Sequence, residues 1–416
     1  MLAIQDLILY LCLFVSLFFE VFLLITYFEI REEIKFENKH KTDKLSHFPT
    51  VSIIVPCFNE EATVEATVHS LLKLNYPSNC LSLLLIDDGS TDNTLEVLNK
   101  FKDHPQITVW SKDNEGSKYS ALNFGLTKVQ SDLVGCLDAD SFVDPEALNK
   151  ILPFFEDKEV MAVTPSVRVH EPKNILQYMQ RVEYISSIFV RHILSAINAL
   201  YVTPGPFSIF RTRVFRELGG YRHAHHTEDM EMALRMQKNH YKIMNAPGAY
   251  VYTVAPNKLK ALYKQRVRWT YGFINNVIDY KKMLFNRKHG NVGIFILPVA
   301  TFSLFTILYT TFSFIFSLAS QSINLITKYQ SVGFKWVWPN INPSWFFISA
   351  TSSAFVSLFI IIISFTLIFL ALRTTNGRVR FSKEILYYLS IYMFIVPLWV
   401  VGASFNTIFA RKVSWR

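Results

Sequence analysis

Two carboxylates one residue apart, in Asp138-Ala139-Asp140, can both reach one divalent cation if the segment is extended, because alternate side chains leave a strand on the same face. Oxygen donors of this kind select Mg2+ or Mn2+. The same residues also read as a turn Asp and a helix cap ahead of Asp144 and Pro145. Asp87-Asp88-Gly89-Ser90 has a similar double reading, as a polar cluster or as a turn with Thr91 or Asp92 capping the next helix. Thr227-Glu228-Asp229 places acids where a helical pattern begins, which the macrodipole favours whatever their role. Asp229 is also the best-placed carboxylate to take a proton from an attacking hydroxyl. In Gln265-Arg266-Val267-Arg268-Trp269, Gln265, Arg268 and Trp269 fall within about one helical turn. Arg can offset charge on a departing diphosphate and Trp can stack on a sugar ring; an interfacial amphipathic helix would use the same residues. Taken in order, the four motifs point to chemistry on a diphosphate-linked donor beside a membrane.

The elements that must position these residues follow from periodicity. From Val51 onward, short β-branched runs alternate with helical patterns, which predicts a largely parallel sheet flanked by helices. Strands are expected at 51–56, 81–86, 107–110 and 133–137, with helices near 61–74, 92–102, 118–129 and 144–156. Asn59 and Glu60, Asp87 and Asp88, and Asp138 and Asp140 then sit just past strand ends, where open α/β sheets bind ligands. A long helix from 174 to about 199 leads to Thr203-Pro204-Gly205-Pro206-Phe207 and a short strand before Arg211. A last strand is expected at 241–245, ahead of a basic helix at 257–283.

The chain has 416 residues, half of them hydrophobic, and a mean hydropathy of +0.22. That is too apolar for a wholly soluble protein, and the excess is localised. Residues 7–28 are apolar except for Glu20, while 292–327, 346–372 and 385–410 carry no Asp, Glu, Lys or Arg. Each run is long enough to cross a hydrocarbon core of roughly 30 Å. The expected organisation is an N-terminal transmembrane helix (1–28), a charged linker (29–49), an α/β domain (50–256), a basic interfacial helix region (257–291) and a C-terminal membrane region (292–416).

Arg31, Lys35, Lys39, Lys41 and Lys44 follow the first run and no basic residue precedes it, so the central domain should face the cytoplasm. The first run is expected to stay as an anchor, since it lacks the basic lead of a cleavable signal. If each later run crosses once, Arg411, Lys412 and Arg416 end outside, against the positive-inside tendency. Either the last run, broken by Pro397 and Gly402, is re-entrant, or 292–327 holds more than one element.

The net charge of +9 concentrates between Lys258 and Lys288, just before a membrane run, where anionic lipid headgroups account for it. No nucleic-acid signature accompanies it. Cys12, Cys57, Cys80 and Cys136 lack paired spacing, which fits a reducing compartment without zinc or disulfides. His223, His225 and His226 have neither metal-ligand spacing nor a clean helix.

On these residues the chain resembles glycosyltransferase family 2, in particular the membrane-embedded processive synthases of cellulose, chitin, hyaluronan and poly-N-acetylglucosamine. Gln265-Arg266-Val267-Arg268-Trp269 fits that group's Q-Q/R-x-R-W pattern. The resemblance implies a GT-A (Rossmann-like) α/β catalytic domain with α-helical transmembrane segments, and inverting transfer from a UDP-sugar to a β-linked polysaccharide. It assigns Pro56, Asn59, Glu60, Asp88, Asp138 and Lys118 to the donor nucleotide, and Asp140 with Asp138 to Mg2+ or Mn2+. The segment Asn114-Glu115-Gly116-Ser117-Lys118 is one residue longer than the usual N-x-G-K. Asp229 becomes the catalytic base, while Glu228, Gln265, Arg268 and Trp269 serve the diphosphate and the acceptor end. The single N-terminal span is most similar to the poly-N-acetylglucosamine type. The alternative is transfer of one sugar to a lipid acceptor; an accessory export protein is a further partner of the polymerising type.

Overall fold

The β-branched runs pair as buried parallel strands, which need apolar residues on both faces because helices cover both. The computed structural model describes residues 2–40, 48–333, 352–376 and 383–411. The helix α1 (Leu2–His40) precedes β1 (Val51–Cys57), α2 (Val64–Leu72), β2 (Leu81–Asp87), α3 (Thr94–Asn99), β3 (Ile107–Ser111), α4 (Lys118–Leu126) and β4 (Leu133–Cys136). Next come β5 (Ser141–Val143), α5 (Ala147–Ile151), β6 (Val160–Val169), α6 (Ile175–Ala196), β7 (Ile209–Arg211) and α7 (Arg213–Leu218). They are followed by α8 (Glu228–Lys238), β8 (Lys242–Thr253), α9 (Leu259–Asp279), α10 (Leu297–Val332), α11 (Ser352–Asn376) and α12 (Lys383–Ile408).

One eight-stranded sheet runs β3-β2-β1-β4-β7-β6-β8-β5. The first four strands are parallel, β7 lies antiparallel between β4 and β6, and β5 pairs antiparallel with β8. The sheet is therefore mixed beyond β4. β6, a ten-residue strand, was not among the expected elements, because Pro165 interrupts its pattern. The structure accommodates that proline at a register shift between Thr164 and Ser166 against β8. The expected helix at 144–156 is instead α5 and a 3-10 turn, Leu152–Glu156, with Pro153 near its start.

Among the described residues, four helical stretches are long and apolar enough to cross a membrane: Ile4–Arg31, Val292–Val332, Ser352–Thr375 and Lys383–Ile408. The apolar run of α1 and much of the charged stretch expected as a linker share one helix to His40. Lys41, Lys44, 346–351, Arg378, Arg380, Lys412 and Arg416 lie outside the described residues. The 292–327 run is a π-helical turn (Val292–Ile296) continued by the single helix α10, so it does not turn back within itself.

The first three stretches pack side by side. Phe295 meets Phe18, Phe19 and Phe22, while the Tyr309 hydroxyl donates to the Gln5 carbonyl at 2.8 Å, so α10 runs antiparallel to α1. Ser364 donates to Glu20, and Leu370 and Leu372 pack with Leu23 and Tyr27, so α11 runs parallel to α1. Glu20 is thus partnered between helices. The fourth stretch behaves differently. α12 lies lengthwise on the α/β domain: Glu384 pairs with Arg181 at 3.4 Å near its start, and Trp399, Val400 and Ala403 bury against Val267. A Cβ on Gly402 would strike the Tyr263 side chain, and Thr407 meets Asn275 at 3.3 Å near the end.

Candidate active site

The β1–β2–β4 carboxyl edge, the start of α8 and one face of α9 enclose a cavity of about 810 Å3. Pro56, Glu60, Asp88, Lys118, Asp138, Asp140, Glu228, Asp229, Gln265, Arg268 and Trp269 all line it, although they span more than 200 residues of sequence. Asn59 is the exception. At φ 55° it shapes the rim, its N–H bonded to Ser90 Oγ at 3.1 Å and its Oδ1 accepting from Thr91 N at 2.8 Å.

The two aspartates after β2 have different duties. Asp87 accepts from Ser111 Oγ at 3.0 Å and Ser90 N at 3.3 Å, which ties the turn to β3. Asp88, buried, faces the cavity and pairs with Lys112 at 3.0 Å. Gly89 has φ +69°, and a Cβ there would sit 2.8 Å from Asn114 N, so only glycine fits this turn.

Asp138-Ala139-Asp140 is a turn rather than the extended segment expected: Ser141 N donates to Asp138 O at 3.0 Å, and Thr67 Oγ1 donates to Ala139 O at 2.8 Å. Both carboxylates still reach the cavity. Burial, followed by the charges of Asp138 and Glu60, pushes the Asp140 carboxyl up to about 7. Such crowding of acids suits a divalent cation. Among the described residues no group of three or more His, Cys, Asp or Glu side chains closes a metal cage. The residues therefore fit an ion held by one or two carboxylates and completed by phosphate oxygens and water, the usual mode of Mg2+. Lys118 donates to Asp138 and lies 3.7 Å from Glu228. Burial works against its charge, but Asp138 and Glu228 outweigh that and raise its pKa.

Asp229 sits in the first turn of α8, its Oδ1 accepting from Met230 N at 2.8 Å, and its carbonyl accepts from Thr203 Oγ1 at 2.8 Å. Burial, then the Glu228 carboxylate, pushes its carboxyl up to about 6. The preceding loop is left-handed at Ala224, His225 and His226 (φ 41°, 52° and 66°). The loop is held by α9: Arg268 donates to His226 O at 3.2 Å, Asn276 to Thr227 Oγ1 at 2.8 Å, and His225 pairs with Asp279 at 2.9 Å. The helix that carries Gln265, Arg268 and Trp269 thus also sets where Asp229 begins its helix.

Among the described residues, Gln265 Oε1 is buried without a hydrogen-bond partner while its residue lines the cavity, as a substrate-binding amide would be. Arg266 is buried, donates to Glu183 on α6 at 2.8 Å, and holds its guanidinium 4.3 Å from the Trp269 ring centroid. Sequence reading had not singled out Glu183, nor Tyr184, Arg191, Tyr201 and Tyr388, which also line the cavity. The available signal was the stripe Tyr184, Ser187, Arg191 and Leu194 on α6, at helical spacing.

This geometry can be set beside known proteins. The family model described as "Glycosyltransferase like family 2" matches residues 49–272, from the start of the sheet through α9. The chain belongs to this glycosyltransferase family. Among its relatives, poly-beta-1,6-N-acetyl-D-glucosamine synthase of Staphylococcus aureus (strain COL) is 31% identical over 266 residues, covering 62% of this chain and 64% of the relative. The Staphylococcus epidermidis synthase of the same name is 31% identical over 224 residues, covering 53% and 54%. These matches span less than two thirds of the relatives' length. In structure, the family member aligns with the mannosyltransferase PcManGT from Pyrobaculum calidifontis, solved with GDP-Man and Mn2+. The TM-score is 0.58 at 15% identity, covering 95% of this chain and all of the other, which shows a shared GT-A fold.

Proposed function

We propose that this family 2 protein is a membrane-bound inverting transferase that adds sugars from a UDP-sugar to the growing end of a β-linked polysaccharide, of the poly-N-acetylglucosamine kind. The observation that carries this reading is the cavity shared by Asp138 and Asp140, the half-buried Asp229, and the Gln265–Trp269 face of α9. In the reaction, the acceptor hydroxyl oxygen bonds to the anomeric carbon as the carbon–oxygen bond to UDP breaks on the opposite side. UDP leaves with the bonding electrons and the hydroxyl proton passes to Asp229. Arg268 and Lys118 offset the charge that grows on the diphosphate, while Asp88, Glu60 and Pro56 border the nucleotide. Asp138 and Asp140 would hold Mg2+ or Mn2+, which supplies further charge neutralisation at the diphosphate. Trp269, backed by Arg266, offers its ring to the acceptor sugar. Incubation of the purified protein in nanodiscs with a panel of UDP-sugars and Mn2+ tests the reading. UDP release from at least one donor supports it, and a folded protein that turns over none contradicts it.

In this reading α1, α10 and α11 cross the bilayer and α12 lies along its cytoplasmic surface on α6 and α9. Arg411 then ends on the same side as the catalytic domain, in accord with the positive-inside tendency. A cysteine introduced at Ala410 should react with a membrane-impermeant maleimide only after the cytoplasmic face is opened; labelling in intact cells would place α12 across the membrane.

A further inference from the structure

The cavity wall includes residues outside the motifs. Its lining also includes Tyr184, Ser187, Arg191 and Leu194, one helical stripe on α6, together with Tyr201 and Phe273. The other face of α6, with Ile185, Phe189 and Ile193, packs on α1 and α11. This helix is therefore a wall between the membrane bundle and the cavity. Arg191 is the unexplained group in it. Its Nε donates to Ser187 O at 3.4 Å, and its two terminal nitrogens meet no acceptor among the described residues. It forms no ion pair among the described residues, yet it lies close enough to Asp229, Tyr184 and Tyr201 to feel their charges. Burial pushes its pKa down to about 10. Arg191 is half-buried, lines the cavity and lies near the Tyr184 and Tyr201 side chains, with donors left over for a ligand.

We infer that Arg191, with Tyr184 and Tyr201, forms an acceptor subsite that holds the sugar behind the one bearing the attacking hydroxyl. Arginine has only donors, in a planar fork, and sugar hydroxyl and acetamido oxygens are matching acceptors. Tyr184 and Tyr201 supply the apolar surface for a sugar face. A lipid phosphate is the other chemistry a lone guanidinium suits. It fits less well, because a phosphate acceptor has no proton for Asp229 to remove and would bring a second anion beside that carboxylate and the donor diphosphate. The inference rests on the polysaccharide-extending reading and adds to it a residue outside the motifs.

The test measures transfer from UDP-N-acetylglucosamine to soluble β-linked N-acetylglucosamine oligosaccharides, mono- to pentasaccharide, by wild type, Arg191→Met and Arg191→Lys. UDP affinity is measured in each variant as the check on folding, and Arg191→Met fills the space of the stem so that loss of packing is small. In Arg191→Met, the KM for the disaccharide and longer acceptors should rise about 10- to 100-fold, the loss expected for a charge-assisted hydrogen bond. The monosaccharide KM should stay unmoved, and the acid limb of the pH–rate profile should move only slightly, toward higher pH, because the lost positive charge lies near Asp229. Arg191→Lys should recover only part of the loss, since it lacks the planar fork. An unchanged KM across the series overturns the inference. So does a shifted pH–rate profile with unchanged KM, which would make Arg191 a tuner of Asp229, and so does a loss confined to a polyprenyl-phosphate acceptor. Wild-type protein that transfers to no glycan would instead sink the underlying reading.

Discussion

Asp229→Asn should lower turnover by roughly 10²- to 10⁴-fold, the range for losing a positioned general base, while leaving UDP affinity within about threefold of wild type. The reason is geometric. The half-buried carboxyl sits in the first turn of α8, its Oδ1 accepting from Met230 N and its backbone carbonyl from Thr203 Oγ1, so the amide can take its place with little movement. The pH dependence follows from the sign of the shift. Burial and Glu228 push the Asp229 carboxyl up to about 6, so the base is ionised above that value and lost as pH falls through it. The wild-type rate should therefore drop on the acid side of about pH 6, approaching tenfold per unit. Asp229→Asn should lose this limb. Stopped-assay kinetics across pH, with UDP binding followed by calorimetry, checks both; wild-type turnover in the variant would remove Asp229 from the role of base.

The second large effect is expected at Asp140. Asp140→Asn should weaken Mn2+-dependent UDP binding at least about tenfold and lower turnover by about 10³-fold, because a bound divalent ion contributes several kcal/mol of charge stabilisation. The substitution keeps the shape of a side chain whose Oδ1 accepts from Ser141 Oγ at 3.2 Å, so the fold should survive. Chelation of wild-type protein should imitate the variant, and added Mn2+ should rescue the former alone. Equal turnover with and without chelator would remove the metal from the scheme.

Much of this site was legible because its parts sit where parallel strands end. β1, β2, β3 and β4 read as apolar runs, and Glu60, Asp88, Asp138 and Asp140 follow three of those strands directly. Gln265, Arg268 and Trp269 were legible as a helix face, and α9 does turn them into the same cavity as Asp229. Other parts were hidden for physical reasons. Asp138 and Asp140 share a rim through a turn closed by Ser141, a feature of tertiary pairing with β5 that alternation does not reveal. Asn59, expected at the donor nucleotide, also shapes a loop with Ser90 and Thr91, which its place after a strand does not reveal. β6 was masked by Pro165, which is tolerated at a register shift. α12 has the composition of a membrane span, and only its contacts with Val267, Tyr263 and Asn275 distinguish it from α10 and α11. Glu183 and Arg191 lie on a helix whose apolar pattern reports its packing on α1 and α11; the cavity on its other side depends on where α9 and Tyr201 fall.

The shared cavity also orders the two acceptor readings. Trp269 and the α6 stripe line the same cavity as Asp229, which offers polar and aromatic groups to a sugar chain that the alternative, a lipid acceptor, would not use in the same way. The most direct test is the size of the product made from UDP-N-acetylglucosamine by protein reconstituted in nanodiscs with Mn2+, resolved by electrophoresis and mass spectrometry. A ladder or long polymer of β-linked N-acetylglucosamine is the expected result. A single sugar attached to an extractable lipid, with no longer species at any time, would contradict it.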